Sequence, residues 1–158
     1  MRHIIILTLI LLSTIKPYNV LPNDKIDMIL VEKYERTLKL IKNGKTIKNY
    51  KIDLGFDPIG HKFSEGDGRT PEGLYYLSSK VTNSNFYISY KISYPNKWDI
   101  KNAKNINKNP GGYIMVHGHP KEKKEIKDWT DGCIALSNQD MAELDKLIKI
   151  NTPIFIRK

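Results

Sequence analysis

A chain of 158 residues with 40% hydrophobic and 27% charged residues is expected to fold as one globular domain. Its net charge of +9 favours anionic polymers as partners, but charge alone does not separate nucleic acid from bacterial envelope polymers. The single cysteine excludes an internal disulfide, and with it a small disulfide-stabilised fold.

The N-terminus has the pattern of a secretory signal peptide. A short basic start that includes Arg2 precedes an apolar run from Ile4 to Leu12, and the run is closed by Lys16 and Pro17. Because this run is far shorter than the ~20 apolar residues that span a bilayer, residues 1–20 are predicted to be a signal peptide, with no stable membrane span. A retained anchor and a buried strand are the alternatives. Export to the periplasm or cell envelope argues against nucleic acid as a partner, and loss of the leader lowers the net charge from +9 to +7.

The rest of the chain is predicted to be mainly β. Residues 27–33, 36–42 and 45–54 alternate apolar and polar side chains. The pair Asn43-Gly44 between the second and third runs is typical of a tight hairpin, because both residues tolerate positive φ. The three runs therefore predict an antiparallel meander.

A region dense in glycine and proline follows, over residues 55–73, and is predicted to be a loop that crosses one edge of the sheet. Short strands are expected at 74–77, 86–94 and 113–116. Residues 97–112 show no clear period and contain scattered lysines and asparagines, which predicts an exposed basic loop.

One helix is predicted with clear signals at its start and along its buried face. Ser137 is a suitable N-cap, and Met141, Leu144 and Leu147 have the spacing of a single apolar stripe. Residues 154–156 are expected to return as a final strand.

The residues with the most reactive side chains lie on either side of a charged loop. His117 ends an apolar run, so its ring is expected to leave the core at a strand end, and Cys133 follows Gly132 at a turn. A strand end that supplies a base and a turn that supplies a thiol are typical of a Cys/His nucleophile pair. The amides of Asp131, Gly132 and Cys133 are candidates for binding the oxyanion that forms when a thiolate attacks an amide.

Several separated motifs resemble those of one enzyme family. His-Gly at 117–118, followed after a spacer by Thr-x-Gly-Cys-Ile-x-Leu at 130–136, resembles the catalytic signature of bacterial L,D-transpeptidases of the YkuD type. Residues 68–75 are similar to the Thr-Pro-x-Gly-x-Tyr segment of that family. Residues 92–96 and 128–130 are similar to its murein- and lipoprotein-processing branch. The resemblance covers about residues 27–156.

This resemblance implies a catalytic domain over residues 27–157, built as a β-sandwich of mixed sheets with one main helix after the cysteine. Cys133 would be the nucleophile, His117 would accept and return its proton, and the Gly118 carbonyl would orient the imidazole. The substrate would be a peptidoglycan tetrapeptide stem, cut before its terminal D-alanine. The resulting thioester would pass to an amine acceptor, as a contribution to cell-wall biogenesis and cell shape. No cofactor or metal is implied.

The resemblance leaves open what accepts the acyl group. The alternatives are an L,D-carboxypeptidase and a hydrolase that releases an envelope lipoprotein from peptidoglycan. Many family members have His and Arg where this chain has Asp131 and Ala135, which points to the lipoprotein-processing branch. The residues around the thiol, Trp129, Thr130, Asp131 and Gly132, are assigned with His119 to substrate or oxyanion binding.

Non-catalytic roles for single residues, and two other functions for the whole protein, compete with this assignment. His119 is expected to be a loop residue rather than a catalyst, and Trp129 to be part of the core or of a cleft wall. His117 and His119 with His61 and Asp67 have the ligand types of a zinc-dependent wall peptidase, although that site leaves Cys133 unexplained. A cationic wall-binding module without catalysis is the other alternative.

Overall fold

The structure is a computed structural model that describes residues 26–158 except 83 and 121–125. The predicted signal peptide, residues 1–20, lies outside the described residues, as does most of the charged loop before Cys133. Among the described residues, no helix is both long enough and apolar enough to cross a bilayer.

The described part of the chain forms eight strands and two helices, which confirms the mainly β prediction. In chain order these are β1 (Met28–Glu32), β2 (Thr37–Lys42), β3 (Lys45–Lys51), β4 (Gly73–Val81), β5 (Ser89–Ile92), α1 (Lys97–Asn105), β6 (Met115–His117), β7 (Ile134–Ala135), α2 (Asn138–Leu147) and β8 (Pro153–Arg157). The strands form one mixed sheet in the order β3-β2-β1-β8-β4-β5-β6-β7. The pairs β1–β8 and β6–β7 are parallel, and the other neighbours are antiparallel.

The sheet curls until its two ends meet. Asp53, just after β3, exchanges two backbone hydrogen bonds of 2.9 Å with Ala135 of β7. Close by, Thr130 donates to the Leu54 carbonyl at 3.1 Å and accepts from the Phe56 amide at 2.9 Å. The strands of the predicted sandwich thus belong to one curled sheet, and the curl brings the start of the glycine-rich loop against the segment that precedes Cys133.

The apolar core fills the inside of the curl. The predicted meander is confirmed: β1, β2 and β3 pair in sequence, and the turn residues Asn43 and Gly44 have φ of 49° and 69°. Alternate residues of the strands point inward because side chains alternate along a strand, and those of β1 and β2 are completely buried. Met141 and Leu144 of α2 cover this core from one side.

The predicted helix and its cap are confirmed, because the Ser137 side chain accepts from the Asp140 amide at 3.0 Å. The prediction that residues 97–112 form an exposed loop is wrong, since α1 occupies the first part of them. Asn96 and Asp99 form a capping box at its start, and Asp99 and Ala103 are its only buried residues. A helix with two small or polar buried residues has no apolar stripe, which explains why the sequence pattern did not reveal it.

Candidate active site

Three adjoining strands place the two predicted catalytic residues on one surface. Ser89 and Lys91 of β5 pair with His117 and Met115 of β6, while Val116 pairs with Ile134 of β7. Tyr90, Val116 and Ile134 point into the core. The alternate residues of β5 and β6 therefore point the other way. Cys133 directly precedes β7, and continuing the β6–β7 register by one residue places it opposite Met115. We call the surface formed by Ser89, Lys91, Met115, His117 and Cys133 the site face.

His117 and Cys133 are neighbours on this face, two positions apart along adjoining strands. With a strand spacing of about 4.8 Å and a rise of about 3.3 Å per residue, their Cα atoms are separated by roughly 8 Å. A separation of this size lies within the combined reach of an imidazole and a thiol that share one face.

The ring of His117 is held by a backbone carbonyl and by aromatic neighbours. Its Nδ1 lies 2.6 Å from the Gly118 carbonyl oxygen. Because a carbonyl only accepts, Nδ1 carries the proton, and Nε2 is the nitrogen able to take one from a nucleophile. The ring stacks on Phe86, with centroids 4.1 Å apart, and meets the edge of Trp129 at 5.7 Å.

The pKa of His117 is lowered to about 4, chiefly because the ring is buried; the Gly118 carbonyl opposes this shift, and nearby His119 adds slightly to it. At neutral pH the imidazole is therefore uncharged and is able to act as a base.

Gly118 is packed closely between two side chains. An added Cβ would lie 2.5 Å from Asn138 Oδ1 and 3.0 Å from Tyr87 Cβ. The same Asn138 oxygen accepts from the His119 amide at 2.7 Å, so the first residue of α2 fixes the backbone that follows His117. The Gly118 amide donates to the Ile88 carbonyl at 3.0 Å. The carbonyl that orients the imidazole is thus fixed from two sides.

Cys133 is half-buried, and its thiol lies 3.7 Å from the carbonyl oxygen of Tyr113. Burial raises the pKa of Cys133 to about 11. The Met115 amide, which points at the sulfur, lowers the pKa by less than burial raises it, and the charge of Asp131 raises it further. At neutral pH the thiol of Cys133 and the imidazole of His117 are therefore both uncharged.

The turn from Thr130 to Cys133 is closed by the Thr130 hydroxyl, which donates to the Cys133 carbonyl at 2.8 Å and accepts from the Gly132 amide at 3.2 Å. The Gly132 amide, one of the three predicted oxyanion donors, is therefore already bonded within the turn. Among the described residues, no backbone acceptor is bonded to the amides of Asp131 or Cys133, and these two stay as candidates.

The glycine-rich loop packs against this turn, and this contact was not predicted from the sequence. Gly132 has φ of 114°, and a Cβ there would lie 2.5 Å from the Arg69 carbonyl oxygen. At Gly55 a Cβ would overlap the Gly68 carbonyl and lie 2.8 Å from the Gly132 Cα. Only glycines allow these backbones to pack so closely, so the density of glycine was the signal for this contact.

An ion pair that the sequence also did not indicate anchors the segment before the turn. The guanidinium of Arg36, at the end of the β1–β2 turn, donates from Nε and Nη2 to the Asp128 carboxylate at 2.9 and 2.8 Å. Asp128 Oδ1 also accepts from the Leu54 amide at 3.1 Å. Two segments far apart in sequence thereby position the backbone leading to Cys133.

Trp129 contributes an aromatic wall to the site and His119 lies beside it. The Trp129 ring contacts His117 and is 5.5 Å from the ring of His119. His119 also lines an open groove of about 1000 Å³, whose other residues come mainly from three regions: residues 35–37 at the start of β2, residues 49–53 at the end of β3, and residues 135–140 from β7 to the start of α2. Neither His117 nor Cys133 lines this groove.

Two of the four ligands of the alternative zinc site, His61 and Asp67, are bonded to other groups. His61 Nδ1 accepts from the Glu72 amide at 3.0 Å, and its Nε2 lies 3.3 Å from Asp99. Asp67 pairs with Lys62 at 2.7 Å and accepts from three backbone amides. In the part of the chain that the structure describes, no three His, Cys, Asp or Glu residues form a cluster suited to a metal ion.

The curled mixed sheet carries a cysteine and a histidine that is oriented by a backbone carbonyl. This combination is the one expected of a catalytic domain with a cysteine nucleophile. The family model of the L,D-transpeptidase catalytic domain (YkuD) matches residues 26–156, and the chain belongs to this family. The family assignment made from the motifs is thereby confirmed.

Similar proteins and solved structures agree with this family assignment. YafK of Escherichia coli strain K12, a candidate L,D-transpeptidase, is 30% identical over 126 residues, which cover 76% of this chain and 46% of YafK. The structure of the helical cell shape determining protein Pgp2 from Campylobacter jejuni is similar with a TM-score of 0.67 and 26% identity, covering 86% of this chain and 49% of that one. Bd1075 of Bdellovibrio bacteriovorus has a TM-score of 0.62 and 29% identity, covering 84% and 48%. The chain spans about half the length of these relatives.

Proposed function

We propose that the protein is an exported cysteine acyltransferase that acts on peptidoglycan stem peptides, as an L,D-transpeptidase. The observation that supports this most directly is the bond between His117 Nδ1 and the Gly118 carbonyl, because it leaves Nε2 free on the face that holds Cys133. Membership of the L,D-transpeptidase family points to peptidoglycan as the substrate. The similarity to a cell shape determining protein supports a role in the cell wall.

In the first half of the reaction, Cys133 Sγ attacks the carbonyl carbon of the third stem residue, and His117 Nε2 takes the thiol proton. The new C–S bond produces an oxyanion, for which the amides of Asp131 and Cys133 are the candidate donors. When the tetrahedral intermediate collapses, the C–N bond breaks and the imidazolium returns its proton to the departing nitrogen. The products are free D-alanine and a thioester on Cys133.

In the second half, an amine of a neighbouring stem attacks the thioester and loses a proton to His117. The C–S bond breaks, the thiol is restored and a cross-linked amide is formed. If water attacks instead, the product is a free carboxylate and the enzyme is a carboxypeptidase. The same chemistry on a stem–lipoprotein bond would release the lipoprotein.

The raised pKa of Cys133 and the lowered pKa of His117 support one order of events in the first step. With values of about 11 and about 4, a preformed thiolate–imidazolium pair is disfavoured at neutral pH. Proton transfer therefore accompanies attack on the substrate, and His117 acts as a general base.

The test is incubation with defined disaccharide tetrapeptides, followed by mass spectrometry. We expect loss of D-alanine with formation of dimers for transfer, and loss without dimers for carboxypeptidase action. Both are expected to vanish in Cys133→Ala and in His117→Gln, with thermal melting used to verify folding. Activity that survives in Cys133→Ala but is lost with a chelator would favour the zinc alternative. Stem binding without any cleavage, unchanged in Cys133→Ala, would favour a wall-binding module.

A further inference from the structure

The site face contains a lysine in line with the nucleophile. Lys91 of β5 pairs with Met115 of β6, and continuing the β6–β7 register by one residue places Cys133 opposite Met115. The three residues form one row across adjoining strands, and all three are half-buried. At about 4.8 Å per strand, the Cα atoms of Lys91 and Cys133 are roughly 10 Å apart.

Lys91 differs from Lys62 and Arg69, the other cations near the nucleophile, because no carboxylate of the described residues neutralises it. Lys62 is paired with Asp67 at 2.7 Å and Arg69 with Asp57 at 3.0 Å. Among the described residues, Lys91 Nζ has no such partner and lies 4.4 Å from the centroid of the Tyr113 ring.

Tyr113 connects this lysine to the thiol. Its ring is exposed on the surface, with 76% of the residue accessible, while its backbone carbonyl accepts from Cys133 at 3.7 Å. Its φ of 57° is a left-handed conformation that non-glycine residues seldom adopt. One residue thus supplies both a contact to the nucleophile and a platform for the ammonium group.

We propose that Lys91 and Tyr113 form a subsite for a carboxylate of the stem peptide, next to the bond that Cys133 attacks. This inference rests on the proposed function. The aromatic ring limits the motion of the Lys91 side chain by a cation–π contact and leaves its three N–H donors available to a ligand. A stem peptide supplies carboxylates a few bonds from the scissile carbonyl, so one of them lies within the span between Lys91 and Cys133.

Two carboxylates of the donor stem have this chemistry. One belongs to the terminal D-alanine, and the other to the side chain of diaminopimelate. Both would make charge-assisted hydrogen bonds to the ammonium group, which are stronger than bonds between neutral groups. Three synthetic tetrapeptides separate them: the natural stem, a stem ending in D-alaninamide, and a stem with lysine in place of diaminopimelate.

The test is to measure kcat and KM for these stems with the full protein, Lys91→Met and Lys91→Arg. A hydrogen bond to a charged group contributes about 1.5–3 kcal/mol, so Lys91→Met should lower kcat/KM for the natural stem at least tenfold, mainly through KM. Lys91→Arg should retain most of the activity. The matched control is Lys80→Met, since Lys80 also lies over a tyrosine ring on a neighbouring strand but is paired with Asp145. It should change kcat/KM less than twofold.

The modified stems decide between the two sources and test the proposal itself. For the stem that lacks the recognised carboxylate, the wild type should lose the same factor and Lys91→Met should cause no further loss. If Lys91→Met lowers kcat/KM by the same factor for all three stems, or for none of them, the subsite is overturned while the proposed function stays intact.

If the wild type cleaves none of the stems, calorimetric binding to Cys133→Ala replaces the kinetic assay. Weaker binding of the natural stem when Lys91→Met is added would then support the subsite without the reaction. Unchanged binding, or none to Cys133→Ala, would overturn the subsite.

Discussion

The ion pair between Arg36 and Asp128 is predicted to stabilise the turn that presents Cys133. The two side chains are only 22% and 12% exposed, and the carboxylate also accepts from the Leu54 amide. In Asp128→Asn the guanidinium loses its counter-charge in a mostly buried position, while the shape of the side chain is kept. Hydrogen bonds to charged groups contribute about 1.5–3 kcal/mol each, and partial exposure reduces this, so we expect a loss of about 2 kcal/mol.

The assay is thermal and urea unfolding of Asp128→Asn, Arg36→Met and the double variant. A loss of about 2 kcal/mol corresponds to a fall in Tm of roughly 6–10 °C for a domain of this size. The coupling energy from the double-mutant cycle should be about 1–2 kcal/mol, because the residues interact directly. The exposed pair Lys48–Glu143, with side chains 38% and 42% accessible, is the matched control, and Glu143→Gln should change stability by less than about 0.5 kcal/mol.

The effect on the site is followed by alkylation of Cys133. A loosened turn should open more often, and labelling at fixed pH should become several-fold faster in Asp128→Asn than in Glu143→Gln. If Asp128→Asn is no less stable than the control and the double variant is simply additive, the ion pair does not position the turn, and the reasoning fails.

Two further predictions concern the same turn. Because the pKa of Cys133 is near 11 and only the thiolate reacts, the rate of iodoacetamide labelling of the folded protein should rise about tenfold per pH unit from pH 7 to 10. In the urea-unfolded protein the rate should level off near pH ~8.5. A plateau below pH 9 in the folded protein would contradict the raised pKa. Gly132→Ala should be less stable than Gly66→Ala. Both glycines have positive φ, but an added Cβ at Gly132 would lie 2.5 Å from the Arg69 carbonyl oxygen, whereas an added Cβ at Gly66 would have no atom within 4 Å. Equal melting temperatures of the two variants would show that the backbone at Gly132 adjusts freely.

Signals confined to short segments predicted a large part of this protein. The Asn43-Gly44 turn determined the β2–β3 hairpin because the backbone conformation of a tight turn depends on its own residues. The helix after the cysteine was predicted from its Ser137 cap and its apolar stripe, which lie directly before the helix and within it. The motifs around His117 and Cys133 predicted the family because the residue types and their order are features of the sequence alone.

Features that depend on distant contacts were missed. Helix α1 has no apolar stripe, and its buried Asp99 is bonded to the Tyr75 hydroxyl at 3.1 Å, a partner that local sequence does not indicate. The glycines at 55 and 132 lie far apart in the chain and meet only because the sheet curls. The same curl sets the partners of Arg36.

The sequence by itself therefore determined which residues have reactive side chains, which segments form the hairpin and α2, and which family the chain belongs to. The tertiary structure decided how those residues are placed: the site face, the already bonded Gly132 amide, the row from Lys91 to Cys133, and the uncharged state of thiol and imidazole. The physical reason is range. Turn conformation, capping and apolar periodicity act over a few residues, whereas burial and the pairing of strands depend on segments that only the closed sheet brings together.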